Sequence, residues 1–151
     1  MTSKIRNIAL AALVAAASLA PALHAQNSSI HARVDVPFSF DYGTTHFGRG
    51  SYIITMNGDV ALVVRNRQTS QSAMVLAHRN ESPLAAKSSL VTFKKYGDRW
   101  FLEEVEIAGN STSVSVYESK AERQASQELA SRGGDATQVA LALLPEGAFG
   151  K

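Results

Sequence analysis

From Ile30 onward, apolar and polar positions alternate in short blocks. Ile30, Ala32, Val34 and Val36 are separated by His31, Arg33 and Asp35, which predicts a strand with one wet face. Pro37 weakens pairing, so Phe38 to Phe40 reads as an edge or a bend. Tyr42-Gly43-Thr44-Thr45 turns the chain, and Gly48-Arg49-Gly50 leads into Ser51–Met56, where Tyr52, Ile54 and Met56 share a face. Asn57-Gly58 is a strong hairpin signal because both residues tolerate positive φ. Val60–Val64 is apolar on both faces and belongs in the middle of a sheet. Arg65–Ser70 reads as a turn, Ala73–Ala77 as another apolar strand, and Arg79–Lys87, with Pro83 inside it, as a long polar loop.

Leu90, Val91 and Phe93 open the next strand, and Tyr96-Gly97-Asp98 is a tight connection to a returning strand over Arg99–Ile107. Gly109-Asn110 turns the chain again, and Thr112, Val114 and Val116 alternate with Ser113, Ser115 and Tyr117. The period then changes. Ser119 with Glu122 three residues on is a capping box. Ala121, Ala125 and Leu129 make a narrow apolar helical stripe, Glu128 and Arg132 are an i,i+4 pair, and Gly133-Gly134 ends the helix. A stripe of mostly alanine lets such a helix lie close on a sheet and adds little burial energy. Val139, Leu141 and Leu143 alternate with Ala140 and Ala142 before Pro145, which predicts a last strand, with a second helix as the alternative. The tail from Pro145 to Lys151 is expected to fray. The expected fold is therefore all-β, mainly antiparallel, with about eight strands as a sandwich or small barrel and one short helix before the last strand.

The first 25 residues follow another plan. Lys4 and Arg6 precede an uncharged Ala/Leu/Val-rich stretch from Ile8 to about Ala20, followed by small residues. That is the layout of a secretory signal, with cleavage expected after Ala25 or after Ala22. The apolar stretch is shorter than the roughly 20 residues that span a bilayer. The reading is thus 1–25 signal peptide and 26–151 one β-rich domain, exported to the periplasm or beyond, with no transmembrane segment after cleavage. Polar Gln26–Ser29 would be a loose lead-in.

Export changes the charge picture. The chain has 15 Lys+Arg against 13 Asp+Glu, but Lys4 and Arg6 leave with the signal and no acid does. The mature domain is then neutral and carries no basic field for nucleic acid. The absence of cysteine excludes disulfides, thiolate metal sites and Cys nucleophiles. One core must hold about 126 residues, a length that suits a single domain.

Few residue patterns point to chemistry. His31, His46 and His78 lack metal-ligand spacing, no Gly-x-Ser-x-Gly turn is present, and Gly48-Arg49-Gly50 has no following helix to cradle phosphate. No cofactor is implied. Triplets at Asn27, Asn80 and Asn110 match the glycosylation pattern and matter only where a cell modifies them. Strict alternation would point Glu103 into the core with Phe101, Val105 and Ile107, making it a buried carboxylate and a site candidate. The competing reading is a β-bulge at Glu103-Glu104, which puts Trp100 and Leu102 on the face of Val105 and Ile107 and leaves both acids wet. Tyr96, Trp100 and Phe101 cluster beside it, and Phe38, Phe40, Tyr42, Phe47 and Tyr52 come earlier. These aromatics either line a cavity or pack the core. Tyr96, Asp98, Trp100, Phe101 and Glu103 are the candidate binding residues.

Three segments carry a resemblance: Val36-Pro37-Phe38-Ser39-Phe40 running to Gly50-Ser51-Tyr52, Phe93 to Leu102 (FKKYGDRWFL), and Ser119-Lys120-Ala121-Glu122-Arg123. Together they resemble a family of short exported bacterial proteins without an assigned activity. The resemblance implies a bacterial envelope or secreted domain, and it transfers no functional residue. Two functions compete: a non-enzymatic domain that binds or packs against an envelope protein, and a lipocalin-like barrel around a small apolar ligand. An enzyme would need a cleft holding Glu103 or a histidine paired to a base. An outer-membrane barrel would need longer strands than the five to eight residues expected here, against the roughly 9–11 that span.

Overall fold

The computed structural model describes residues 30–145. The signal sequence, its cleavage point, the Gln26–Ser29 lead-in, the Asn27 triplet and the tail after Pro145 lie outside the described residues.

Eleven strands and one helix follow in order: β1 (His31–Val36), β2 (Phe40–Tyr42), β3 (Thr45–Phe47), β4 (Gly50–Asn57), β5 (Ala61–Asn66), β6 (Ser72–Glu81), β7 (Leu90–Tyr96), β8 (Arg99–Glu106), β9 (Thr112–Val116), α1 (Lys120–Ser131), β10 (Thr137–Ala142) and β11 (Leu144–Pro145). The domain is all-β, with its helix just before the last strands. It exceeds the expected eight strands because the Tyr42–Thr45 turn is flanked by two three-residue strands, and because the last strand is split at Leu143. Leu143 donates its N–H to Ser89 at 2.9 Å and buries its side chain.

The strands form one sheet in the order β10-β7-β8-β9-β6-β5-β4-β1-β11, with the β2–β3 hairpin attached to β8. Every pairing is antiparallel except β2 with β8, which meet in parallel at Asp41 and Phe101. The two outermost strands of this order are consecutive in sequence: β10 pairs β7 at one end, and β11 pairs β1 at the other. Long β6 changes partner midway, pairing β5 through Ser72–Leu76 and β9 through Ala77–Glu81. Arg79–Glu81 therefore belongs to a strand and not to the polar loop its composition suggested. Composition missed it because the residues sit at the strand's polar end, where Arg79 Nε donates to Asp59 at 3.0 Å and Asn80 Nδ2 to Ser115 at 2.6 Å.

Two further expectations shift by a few residues. Asn57 pairs with Ala61, so the hairpin loop is Gly58-Asp59-Val60, and Val60 lies exposed in the turn instead of centrally. Arg65 and Asn66 extend β5, and Asn66 is buried because its Oδ1 accepts the N–H groups of Gln68 and Thr69 at 2.9 and 3.0 Å. The side chain thereby folds the following turn.

The core is aromatic. Phe40 stacks on Phe47 at 4.8 Å between ring centres, and Phe93 meets Phe40 at 5.1 Å and Phe38 at 5.3 Å, both edge-on. Tyr52 lies 5.2 Å from Phe40 and 5.9 Å from Phe47. Ile54, Leu62, Val64, Val75, Val91 and Val105 complete the cluster with almost no exposure. A smaller second core lies outside β7 and β8, where Ala121, Ala125 and Leu129 of α1 cover Tyr96 and Phe101. The alanine stripe does set a close-lying helix on the sheet.

The helix ends as its sequence predicts. Ser119 Oγ accepts the N–H of Glu122 at 3.1 Å. At the other end Gly133 takes φ +69°, its N–H donates to Ala130 O, and Gly134 N–H donates to Leu129 O. This Schellman pattern closes the orphan carbonyls. Glu128, expected to pair Arg132, accepts from Gln124 at 3.0 Å instead. Gly133→Ala should cost about 1–2 kcal/mol in urea unfolding, the penalty for a Cβ in the left-handed region. No loss would mean that the cap is not strained by a side chain.

Candidate functional site

Glu103 marks where β8 departs from regular alternation. Thr92 pairs Glu104 and Phe93 pairs Leu102, so Glu103 is the extra residue of a β-bulge. The bulge lets Leu102 and Val105 both enter the main core. It leaves Phe101 and Glu103 on the opposite face, under α1. The carboxylate does not enter the core. Glu103 accepts from Lys94 Nζ at 2.9 Å and from Gln138 Nε2 at 2.7 Å, joining β7, β8 and β10 across that face. Its neighbour Glu104 accepts from Ser113 and Ser115 at 2.5 and 3.3 Å. Both acids are half-buried and satisfied.

Above this network sits Glu122, only 6% exposed on the inner side of α1. Burial is the main reason its carboxyl is pushed up to about 7, and the nearby Glu118 carboxylate adds to it. The Ser119 backbone hydrogen bond and the Lys94 ammonium act in the opposite direction, and Glu103 acts with burial. The Lys94 ammonium is held above its ordinary value, first by its hydrogen bond to Glu103. The Tyr96 phenol is raised by burial. A carboxyl that keeps its proton up to about pH 7, a closed ion pair and two buried rings thus fill the seam beneath the helix.

The five residues expected from sequence therefore divide. Tyr96, Phe101 and Glu103 come to one face of the sheet, and α1 covers Tyr96 and Phe101 at 8% and 1% exposure, so a ligand reaching those two rings must displace the helix. Trp100 faces the other way, stacked on Phe38 at 4.3 Å, with Lys95 Nζ 5.4 Å from its ring centre. Asp98 is exposed in the Gly97-Asp98 turn, where Gly97 adopts φ +62°.

A second group was not foreseen. Asp41 on β2 accepts from His46 Nδ1 at 2.6 Å, and from Arg99 through Nε and Nη2, both at 3.0 Å. The Arg99 guanidinium lies 5.0 Å from the Phe101 ring centre. Asp41 and His46 are a cross-strand pair of the β2–β3 hairpin. Reading Tyr42-Gly43-Thr44-Thr45 as a two-residue hairpin loop would have set them opposite each other. The arrangement orients an imidazole against a carboxylate, as a general base requires. The His46 side chain, however, is 69% exposed on open surface. Among the described residues no group of three or more His, Asp or Glu could hold a metal ion.

The outer face of β5–β6 has a different character. Met74 stands opposite Val63 and Leu76 opposite Ala61, so these side chains share a face. Met74 and Leu76 are 58% and 55% exposed, with Val60 and Tyr117 exposed nearby. Leu76 O accepts from Tyr117 N, Leu76 N donates to Tyr42 Oη, and Val60 O accepts from Ala77 N, which gathers these residues around the point where β6 changes partner.

No protein-family model matches the chain, and no curated protein or solved structure does either. Among the described residues no helix is long and apolar enough to cross a membrane.

Proposed function

We propose that the protein is an exported, non-enzymatic binding domain of the periplasm or the medium, one of the short bacterial β-domains that its three segments resemble, and that it acts by docking on another protein. The observation that carries this reading is the exposed apolar row of Met74 and Leu76, with the exposed Tyr117 on the chain segment that Leu76 O binds. Grouped apolar exposure of this kind marks interaction surfaces, whereas isolated apolar residues do not. The seam under α1 is closed by its own ion pair and rings, and the His46–Asp41 pair lies on open surface, so neither offers a cleft for catalysis. The lipocalin-like alternative needs interior space lined by aromatics. Phe40, Phe47, Tyr52 and Phe93 instead pack on one another at 4.8–5.9 Å, which favours the docking role.

The test is photo-cross-linking in cells that export the protein, with a benzophenone side chain at Leu76 or, as control, at Arg132 on the exposed end of α1. The expected result is one discrete protein adduct from Leu76 and none from Arg132. Equal labelling at both positions, or none at Leu76, would overturn the reading.

A further inference from the structure

The apolar row of β6 borders an open strand edge. Ala77 N–H donates to Val60 O at 2.9 Å, and Asn66 N–H to Gln71 O at 2.8 Å. These two contacts bracket the register that sets Leu62 opposite Val75 and Val64 opposite Ala73. Antiparallel partners exchange main-chain hydrogen bonds at every second position. Ala73 and Val75 therefore turn their N–H and C=O groups toward β5, and Ser72, Met74 and Leu76 turn theirs to the other side.

On that other side β9 pairs β6 only from Ala77 onward. Leu76 is still served, because its N–H donates to Tyr42 Oη and its C=O accepts from Tyr117 N, both at 3.0 Å. Beyond it β9 gives way to the chain leading into α1. The main-chain groups of Ser72 and Met74 have no partner among the described residues, and both residues are exposed. Nearby β3 does not take them, since it pairs with β2 alone. Its His46 O is reached instead by the Gln71 side chain, whose Nε2 donates at 3.1 Å.

The unused groups are two donors and two acceptors, repeated every second residue, or roughly 6.8 Å along an extended chain. That repeat matches the main chain of another strand, so the edge calls for an extended polypeptide. The side chains on the outer face say what this polypeptide carries. Met74 and Leu76 offer apolar surface. Ser72 stands opposite Arg65 of β5, which is exposed and makes no ion pair among the described residues. Ser72 is small, so the long Arg65 side chain on the same face has the reach to cross it to a strand added at the edge. A guanidinium there favours a carboxylate.

We infer that the docking partner adds an extended segment to β6 at Ser72–Met74 as a further strand. It carries an apolar residue in register with Met74 and, two positions along, an acidic residue in register with Ser72, held by Arg65. The inference rests on the docking role and specifies how the partner is held, main chain to main chain.

Hydrogen exchange of the mature protein alone is the first test. The Ser72 and Met74 amides should exchange at least about a hundredfold faster than those of Ala73 and Val75, which β5 holds. Protection of Ser72 and Met74 in the free protein would mean that the edge is already taken, and would overturn the inference without touching the docking role. The second test repeats the cross-linking from Leu76 in exporting cells. Ser72→Pro deletes an outward N–H that an edge strand can spare, whereas Ser72→Ala keeps it. Ser72→Pro should give about tenfold less adduct than Ser72→Ala, and Arg65→Gln about threefold less than the parent. In the purified parent adduct the Ser72 and Met74 amides should slow by at least about tenfold, a readout that does not depend on how the proline variant folds. Unslowed amides in the adduct, equal adduct from Ser72→Pro and Ser72→Ala, or undiminished adduct in Arg65→Gln would overturn the inference and leave the docking role standing. No adduct from the parent would overturn both.

Discussion

Phe93→Ala should destabilise the domain by about 3–5 kcal/mol, the usual loss for truncating a buried phenylalanine. Phe93 is 1% exposed and touches the rings of both Phe38 and Phe40, so it links the Phe40–Phe47–Tyr52 stack to Trp100 through Phe38. Removing it leaves a void that three neighbouring strands must close, and each is fixed by its own register. The chain has no cysteine, so no disulfide compensates. Urea unfolding followed by Trp100 fluorescence measures the loss directly, since the indole stacks on Phe38. A loss below about 1 kcal/mol, typical of a surface change, would mean that the aromatic cluster does not hold the fold.

The second large effect concerns pH. Glu122 binds its proton more tightly in the folded domain than its ordinary value of 4.5 allows, with a folded value of about 7. The folded state therefore holds a proton that the unfolded state has released, and stability falls as pH rises from about 4.5 to about 7, then levels off. Glu122→Gln keeps the shape and removes the charge. It should flatten this fall, with a gain over the parent of at most about 3 kcal/mol above neutral pH, less to the extent that water reaches the group. The groups facing Glu122 are Glu118 on its own side, Glu103 and Lys94 from the strands, and the Tyr96 ring. Urea unfolding at pH 5, 6, 7 and 8 for both proteins decides the matter. A parent whose stability rises across that range would show that Glu122 is ionised in the folded domain.

Much of the architecture was legible because its signals are local. Gly97, Gly109 and Gly133 take the positive φ their turns require. The Ser119–Glu122 cap, the alanine stripe and the last strand follow from spacing alone. The bulge was readable too: Phe101, Glu103, Val105 and Ile107 cannot share one core face without burying an acid, and inserting one residue resolves the conflict. What escaped was non-local. Nothing near Arg79 says that β9 will pair it, and nothing near Leu143 says that one chain segment will reach both ends of the strand order.

The candidate residues show the same limit. Glu103 was found by its parity with Phe101, and Tyr96 by its nearness to Phe101 in sequence, but neither signal says anything about a helix more than fifteen residues downstream covering them. Asp98 and Trp100 were joined to them by proximity in sequence, and a strand sends neighbours to opposite faces. The burial of Glu122 was hidden for a related reason. A capping box already assigns its carboxyl to the Ser119 N–H, leaving no signal that the helix buries it within electrostatic reach of Glu103, Lys94 and Tyr96.

The most direct test of the docking role is native mass spectrometry of the protein recovered from its export compartment, with Leu76→Asp as the comparison. A charge at the centre of the apolar row should abolish docking without touching the core. The expected result is a chain lacking its first 22 or 25 residues, bound to a second protein, and the same chain alone in Leu76→Asp. A chain that retains residues 1–25, carries a small apolar molecule in place of a protein, or keeps its partner in Leu76→Asp would contradict it.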